Sequence, residues 1–188
     1  MLDPTVFTEH GTPTTQADEW LAVRAAHDPD AFSELYRRYL TRVYRYLLAH
    51  VGGEQDAQDL TAQTFLDALE NIHRYQGRGV FAAWLLSIAR HKAADFYRRN
   101  RIILPLEDAE SAPHPEMSPE AQVEQQMQME QVARALRQIS PERAEVLMLR
   151  VFGGLSGAEA AQVLGKSEDA VHALYSRALR DLRQRLTG

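Results

Sequence analysis

The sequence has no cysteine, so neither a disulfide framework nor a thiolate metal site is available, and a reducing compartment is the natural expectation. It also lacks a long apolar run, because the longest, residues 80–89, is about half of the ~20 residues that a membrane span needs. The opening stretch, MLDPTVFTEHGTPTTQ, has neither the basic start nor the apolar block of a secretory signal, and we interpret 1–16 as a disordered leader. These absences predict a soluble, cytoplasmic protein without membrane insertion.

Alternating runs of β-branched residues are also missing, whereas apolar residues at helical spacing recur throughout the chain. Turn and capping residues divide this pattern: Asp28-Pro29 begins one helix, Gly52-Gly53 ends it, and Ser140-Pro141 begins another. The fold class is therefore predicted to be all-α. The longer predicted helices cover roughly residues 17–26, 29–51, 54–71, 80–101, 119–138 and 141–152.

Charge is distributed unevenly. A net charge of −5 argues at first against a nucleic-acid partner, because phosphate binding needs cations. However, residues 102–130 contain seven acidic residues and no Lys or Arg. Every Lys and Arg therefore lies in the mainly helical parts on either side of this segment. With its prolines, 102–118 is predicted to be a flexible acidic linker between two small helical domains, at 17–101 and 119–188.

The segment 155–179 has the pattern of a helix-turn-helix. Ser156 and Glu159 form a capping-box signature, and Gly165-Lys166-Ser167 supplies a tight turn before a second helix. That second helix would offer a polar face to a DNA major groove. An ordinary helical hairpin without a DNA role is the alternative, and this motif alone does not decide between them.

The helix predicted over 80–101 changes character along its length. Its first half has apolar residues at core spacing, and its second half collects arginines, ending in RRNR. The simpler interpretation is an amphipathic helix with a basic polar face. The more specific interpretation is that the basic end of this helix lies against the phosphates of a nucleic acid.

Two stretches resemble conserved regions of the sigma-70 family of bacterial sigma factors, in the extracytoplasmic-function (ECF) class. DAQDLTAQTFLDALENIHRYQGRGVFAAWLLSIARHKAADFYRRNR is similar to the family's region 2, and ISPERAEVLMLRVFGGLSGAEAAQVLGKSEDAVHALYSRALRDLR is similar to its region 4. The resemblance implies a transcription initiation factor that binds core RNA polymerase, directs it to promoter DNA, melts the minus-10 element and reads the minus-35 element. It also implies an anti-sigma factor as a partner, and no catalytic residue, metal or cofactor.

The resemblance carries three sets of site residues onto this chain. The residues implied to contact core polymerase are Asp56, Asp59, Leu60, Gln63 and Phe65. A plain core role is the alternative for the apolar residues of this helix, Leu60, Phe65, Leu66 and Leu69. Those implied for the minus-10 element are Arg74, Tyr75, Arg78, Trp84, Arg90, His91, Arg98 and Arg99, with Trp84 a better candidate for the core than for base stacking. Those implied for the minus-35 element are Lys166, Ser167, His172, Tyr175, Ser176, Arg177 and Arg180.

The chain departs from the family pattern in two places. Ala62-Gln63 stands where Gln-Glu is common, which removes one charge from the implied polymerase contact. His172-Ala173-Leu174 stands where Lys-Ser-Arg is frequent, so a usual arginine donor is missing. A stand-alone helix-turn-helix regulator is the alternative function. It would leave the first domain unexplained, while an enzyme is disfavoured by the lack of a phosphate-binding loop or metal-ligand motif.

Overall fold

The computed structural model describes residues 15–75, 77, 80–100, 135–136 and 138–187, and within these ranges the chain is helical with no strand. This confirms the all-α prediction. None of the helices in this part of the chain is long and apolar enough to cross a membrane. The predicted leader, the acidic linker and almost all of the helix predicted over 119–138 lie outside the described residues.

The first domain consists of four helices and one short 3-10 turn. They are α1 (Thr15–Ala25), α2 (Pro29–Val51), α3 (Glu54–Asn71), the 3-10 turn Ile72–Arg74, and α4 (Phe81–Asn100). The predicted boundaries hold to within two residues. Asp28 caps α2 by accepting a hydrogen bond from the backbone N–H of Asp30 at 3.0 Å, and Gly52 ends it in the left-handed conformation with φ of 79°.

Helix α2 is the centre of this domain, because α1, α3 and α4 all pack against it. Its buried stripe follows helical spacing at Leu35, Tyr39, Val43, Tyr46 and Leu47. α4 contributes the facing layer through its apolar first half, whose fully buried members include Phe81, Leu85, Leu86 and Ala89. The prediction that this half of α4 belongs to the core is confirmed.

The second domain contains α5 (Pro141–Val151), α6 (Gly157–Leu164) and α7 (Glu168–Thr187). The capping box is present: the Ser156 hydroxyl accepts from the Glu159 N–H at 3.2 Å, and the Glu159 carboxylate accepts from the Ser156 N–H at 2.6 Å. Gly165 ends α6 with φ of 62°, a left-handed conformation that glycine adopts at least cost. α6, the Gly165 turn and α7 therefore form the predicted helix-turn-helix.

The two domains pack directly against each other, α5 on α2 and α6 on α4. The side chain of Arg42 on α2 donates hydrogen bonds to the carbonyls of Gly153 and Gly154, which follow α5, the latter at 2.6 Å. A Cβ atom at Gly153 would come within 3.0 Å of the Leu86 side chain on α4. One apolar cluster consequently runs through both domains. Sequence patterns predicted the two domains but gave no sign of this contact.

Candidate nucleic-acid and polymerase interface

The second half of α4 is the exposed basic segment that the sequence predicted. His91, Arg98 and Arg99 are all exposed. Arg98 pairs with Asp95 on the same helix, and this hydrogen bond lowers the pKa of the Asp95 carboxyl. Arg99 forms no ion pair with any side chain in the part of the chain that the structure describes. α4 therefore presents cations at its free end while its other end is fixed in the core.

Three aromatic rings lie together where the segment after α3 enters α4. The ring centroids of Tyr75, Phe81 and Trp84 are 5.5–5.7 Å apart pairwise. Tyr75 and Phe81 are buried, whereas Trp84 is half-buried, and burial raises the pKa of Tyr75 to about 12. Trp84 is therefore the member of this cluster with a face still partly open. Arg74, the residue before Tyr75, is exposed, and Arg78 lies outside the described residues.

Arg90 lies at the contact between the two domains, with 41% of its side chain exposed. It points to the second domain, where its Nε is 3.6 Å from the Glu145 carboxylate on α5. Its Nε atom is buried and has no hydrogen-bond partner in the described part of the chain. Arg90 therefore contributes to the contact between the domains, and its contact with minus-10 DNA stays a prediction.

The exposed face of α7 carries most of the residues implied for the minus-35 element. Ser167 caps the helix by accepting from the Ala170 N–H at 3.2 Å. Tyr175 is half-buried and lies under the Arg150 guanidinium at 5.1 Å, and Lys166 pairs with Glu142 at 3.1 Å. Exposed along this face are Ser167, Glu168, Asp169, His172, Ser176, Arg177 and Arg180. Buried Ala160, Ala161, Val171 and Ala178 hold α7 against α6 and α5.

On α3 the structure separates the apolar residues from the polar ones. Asp56, Asp59 and Gln63 are exposed, and partial burial together with the neighbouring Asp59 carboxylate raises the pKa of Asp56. Leu60 and Phe65 are buried and belong to the core, so they shape this surface without offering a side chain to a partner.

Sequence reasoning missed the apolar residues that α3 does expose. Leu66 is 59% exposed and Leu69 is 48% exposed, so the core role is wrong for these two residues. The helical spacing of the buried residues Ala57, Leu60, Thr64 and Ala68 places positions 66 and 69 off the core face. That phase was a signal from which their exposure could have been predicted.

No group of three or more His, Cys, Asp or Glu side chains suited to a metal ion occurs among the residues that the structure describes. The candidate functional features are instead three surfaces: the basic end of α4, the exposed face of α7 in the helix-turn-helix, and the face of α3 that exposes both apolar and acidic side chains.

Comparison with known proteins assigns these features to a family. A family model described as Sigma-70 region 2 matches residues 35–102, and one described as Sigma-70, region 4 matches residues 129–182. The ECF RNA polymerase sigma factor BldN of Streptomyces coelicolor is 40% identical over 92% of this chain and 69% of its own length. The ECF RNA polymerase sigma factor SigX of Bacillus subtilis is 29% identical, with 84% of each chain covered.

Solved structures agree with the sequence matches. The structure of CnrH in complex with the cytosolic domain of CnrY has a TM-score of 0.72 and 28% identity, and the match covers 91% of this chain and 97% of CnrH. RpoE of Bartonella quintana, in its complex with the anti-sigma factor NepR, has a TM-score of 0.66 at 20% identity over 83% of this chain and 96% of its own, a likeness of fold. The chain is a sigma-70 family sigma factor of the extracytoplasmic-function class.

Proposed function

We propose that this chain binds core RNA polymerase and directs it to promoters, with α3 facing polymerase, α4 meeting the minus-10 element and α7 reading the minus-35 element. The observation that carries this proposal is the presence of two separate DNA-suited surfaces on one chain. The basic end of α4 and the exposed face of α7 belong to different domains. A stand-alone helix-turn-helix regulator would use only the second of them.

At the minus-10 element, the exposed side chains of His91, Arg98 and Arg99 would contact phosphates next to the melted strand. The exposed part of Trp84 would be available to an unstacked base, and exposed Arg74 would contact the nearby strand. Tyr75 would act from the core by holding Trp84 in place. Arg78 is implied for the same element and lies outside the described residues. Arg90 would reach DNA only after leaving Glu145.

At the minus-35 element, α7 would enter the major groove with His172, Ser176 and Arg177 towards the bases. Arg180, Ser167 and Lys166 would position the helix against phosphates, and Tyr175 would stiffen the helix through its contact with Arg150. The domain limits that fit this division are 17–101 for region 2 and 119–188 for region 4, joined by the acidic segment 102–118.

The chain would have no chemistry of its own, because polymerase forms the phosphodiester bonds. It would act where the chromosome and polymerase are, in the cytoplasm. An anti-sigma factor is a further proposed partner, supported by the complex of RpoE with the anti-sigma factor NepR.

The experiment that tests the division of labour replaces the basic end of α4. Arg98→Ala plus Arg99→Ala should weaken the polymerase–promoter complex by about 10–100-fold, because two phosphate-facing cations are lost. Binding to core polymerase should not change. The matched control is Arg37→Ala plus Arg45→Ala, which removes two exposed cations from α2. Equal weakening by both pairs, or equal loss of polymerase binding, would contradict the assignment of α4 to promoter DNA.

A further inference from the structure

The exposed side of α7 has short side chains along its centre. An α-helix turns by about 100° per residue, so one narrow strip of its surface carries Asp169, Ala173, Ser176 and Arg180. Val171 and Ala178 lie on the opposite side of the helix and are buried against the rest of the second domain. The strip therefore points away from the core. We name its first three members, Asp169, Ala173 and Ser176, the α7 stripe.

Asp169 is the one acidic member of the α7 stripe, and it is exposed. Its side chain makes no hydrogen bond or ion pair within the part of the chain that the structure describes. The preceding acid, Glu168, is placed differently, because a Cβ atom at Gly157 on α6 would come within 3.2 Å of its Oε1 atom. Glu168 thus lies beside the start of α6, whereas the Asp169 carboxylate is available to a partner.

The other members of the α7 stripe would let this short carboxylate come close to a base. Ala173, one turn after Asp169, ends in a methyl group, and Ser176 ends in a single hydroxyl, so neither would hold the helix backbone away from DNA. The longer side chains of His172 and Arg177 lie on opposite sides of the stripe. Asp169 can therefore reach a base edge if α7 enters a major groove.

The chemistry of the major groove determines which base suits a carboxylate there. DNA carries one negative charge per ~1.7 Å of its axis, so a carboxylate is repelled unless a base offers it a hydrogen-bond donor. Guanine and thymine present only acceptors in this groove, and adenine presents its amino group beside the acceptor N7. Cytosine presents its N4 amino group without a neighbouring acceptor. An aspartate in the groove consequently favours cytosine over the other three bases.

We propose that Asp169 is a specificity-determining residue, which accepts a hydrogen bond from the N4 amino group of one cytosine in the minus-35 element. This inference rests on the proposed function, in which α7 reads that element, and it adds the kind of base that Asp169 selects. The simpler role for Asp169 is to stabilise the first turn of α7 through the helix dipole. That role would affect the stability of the protein and not its base preference.

The test uses core polymerase with the full-length protein and a host promoter fragment that they bind together, with its minus-35 element randomised. Fragments retained in the complex are sequenced. The wild-type protein should favour cytosine at one position of one strand by about tenfold. Asp169→Asn should change that preference to adenine, because an asparagine amide pairs with adenine N6 and N7. Asp169→Ala should remove the preference at that position and leave the other positions unchanged.

Glu168→Gln is the matched control, because it removes the same charge from the same turn of α7 but lies beside Gly157. It should leave the base preference at every position as in the wild-type protein. Wild-type preferences in both Asp169 variants, or the same change in Glu168→Gln, would overturn this inference while leaving the proposed function in place. If the wild-type protein and polymerase selected no fragment at all, the proposed function would fail as well.

Discussion

A single buried carboxylate, that of Asp18, joins α1 to the rest of the first domain. It accepts hydrogen bonds from Arg38 at 2.6 Å and from the Tyr39 hydroxyl at 2.7 Å, and its side chain is 2% exposed. Asp18→Ala would leave the Tyr39 hydroxyl buried without this acceptor and Arg38 without this partner. We expect a loss of about 3 kcal/mol in the free energy of unfolding, measured by denaturant titration.

Asp95 provides the contrast for this measurement. It also pairs with an arginine, Arg98, but both side chains are substantially exposed. Asp95→Ala should leave the unfolding midpoint unchanged. An equal loss of stability in the two variants would mean that burial does not determine the strength of the Asp18 contacts.

Prediction from sequence was weakest for single polar residues. Aspartate is usually exposed, so nothing in the local pattern marks Asp18 as buried or Glu145 as the centre of a cluster. The resemblance to the sigma-70 family implied a DNA contact for Arg90, but it gave no sign of the contact with Glu145, which lies on a helix more than fifty positions later in the chain. Such contacts depend on tertiary packing, which helical periodicity does not encode.

Among the helices, α3 has a surface that can be tested separately from the DNA contacts. Leu66→Gln plus Leu69→Gln replaces two exposed leucines on the face that also carries Asp59 and Gln63. If this face meets core polymerase, the lost apolar contact should weaken binding about 10–100-fold, as measured by competition for core polymerase. The thermal midpoint of the free protein should not fall, because neither side chain is in the core.

Val23→Gln is the control for that experiment, since Val23 is an exposed apolar residue on α1, with 49% of its surface accessible. It should leave polymerase binding intact. If Val23→Gln weakened polymerase binding to the same degree, the assay would be responding to the loss of any exposed apolar side chain. That result would count against α3 as the helix that contacts polymerase.

The extents of the helices were the feature that sequence patterns predicted best. Caps at Asp28 and Ser156, and left-handed glycines at 52 and 165, are local chemistry, so the boundaries they set were predictable. The two-part character of α4 was likewise visible, because core spacing and charge are both read along one helix. To predict that Leu66 and Leu69 are exposed, one must know which face of α3 packs against the neighbouring helices. Apolar content alone does not give that face.

For the whole molecule, the contacts of Glu145 with Tyr46, His50 and Arg90 make the docking of the two domains sensitive to acid. Burial acts to raise the pKa of Glu145, but the contacts with His50, Tyr46 and Arg90 outweigh it, and the pKa lies below the ordinary glutamate value. Because the pKa of Glu145 is lower when the domains are docked, its carboxylate stabilises the docked arrangement at pH values above the ordinary pKa of glutamate. This stabilisation is lost as the pH falls through the lowered pKa.

Energy transfer between dyes on two introduced cysteines, Gln55→Cys on α3 and Gln162→Cys on α6, should therefore fall as the domains separate in acid. The change should lie below the ordinary titration range of glutamate, which is centred at about 4.3. Glu145→Gln should abolish that acid transition. His50→Gln removes the facing imidazole, so a transition that persists in this background reports the carboxylate. An acid transition of unchanged size in Glu145→Gln would assign it to another group.

The docking of the domains is the feature of the whole molecule that sequence did not predict. Two helical domains followed from the composition and from the resemblance to the sigma-70 family. Their contact relies on a few side chains far apart in sequence, Arg42 and Glu145 among them, and on the small size of Gly153 next to Leu86. None of these has a periodic or compositional signature.

The most direct test of the central claim is multi-round transcription with purified bacterial core polymerase, this protein and a library of promoter fragments from the host. If the chain is an initiation factor, discrete transcripts should require this protein, and they should come from fragments that share a minus-10 and a minus-35 element. No transcripts and no binding to core polymerase, together with tight binding to duplex DNA by the protein alone, would contradict it and favour a stand-alone helix-turn-helix regulator.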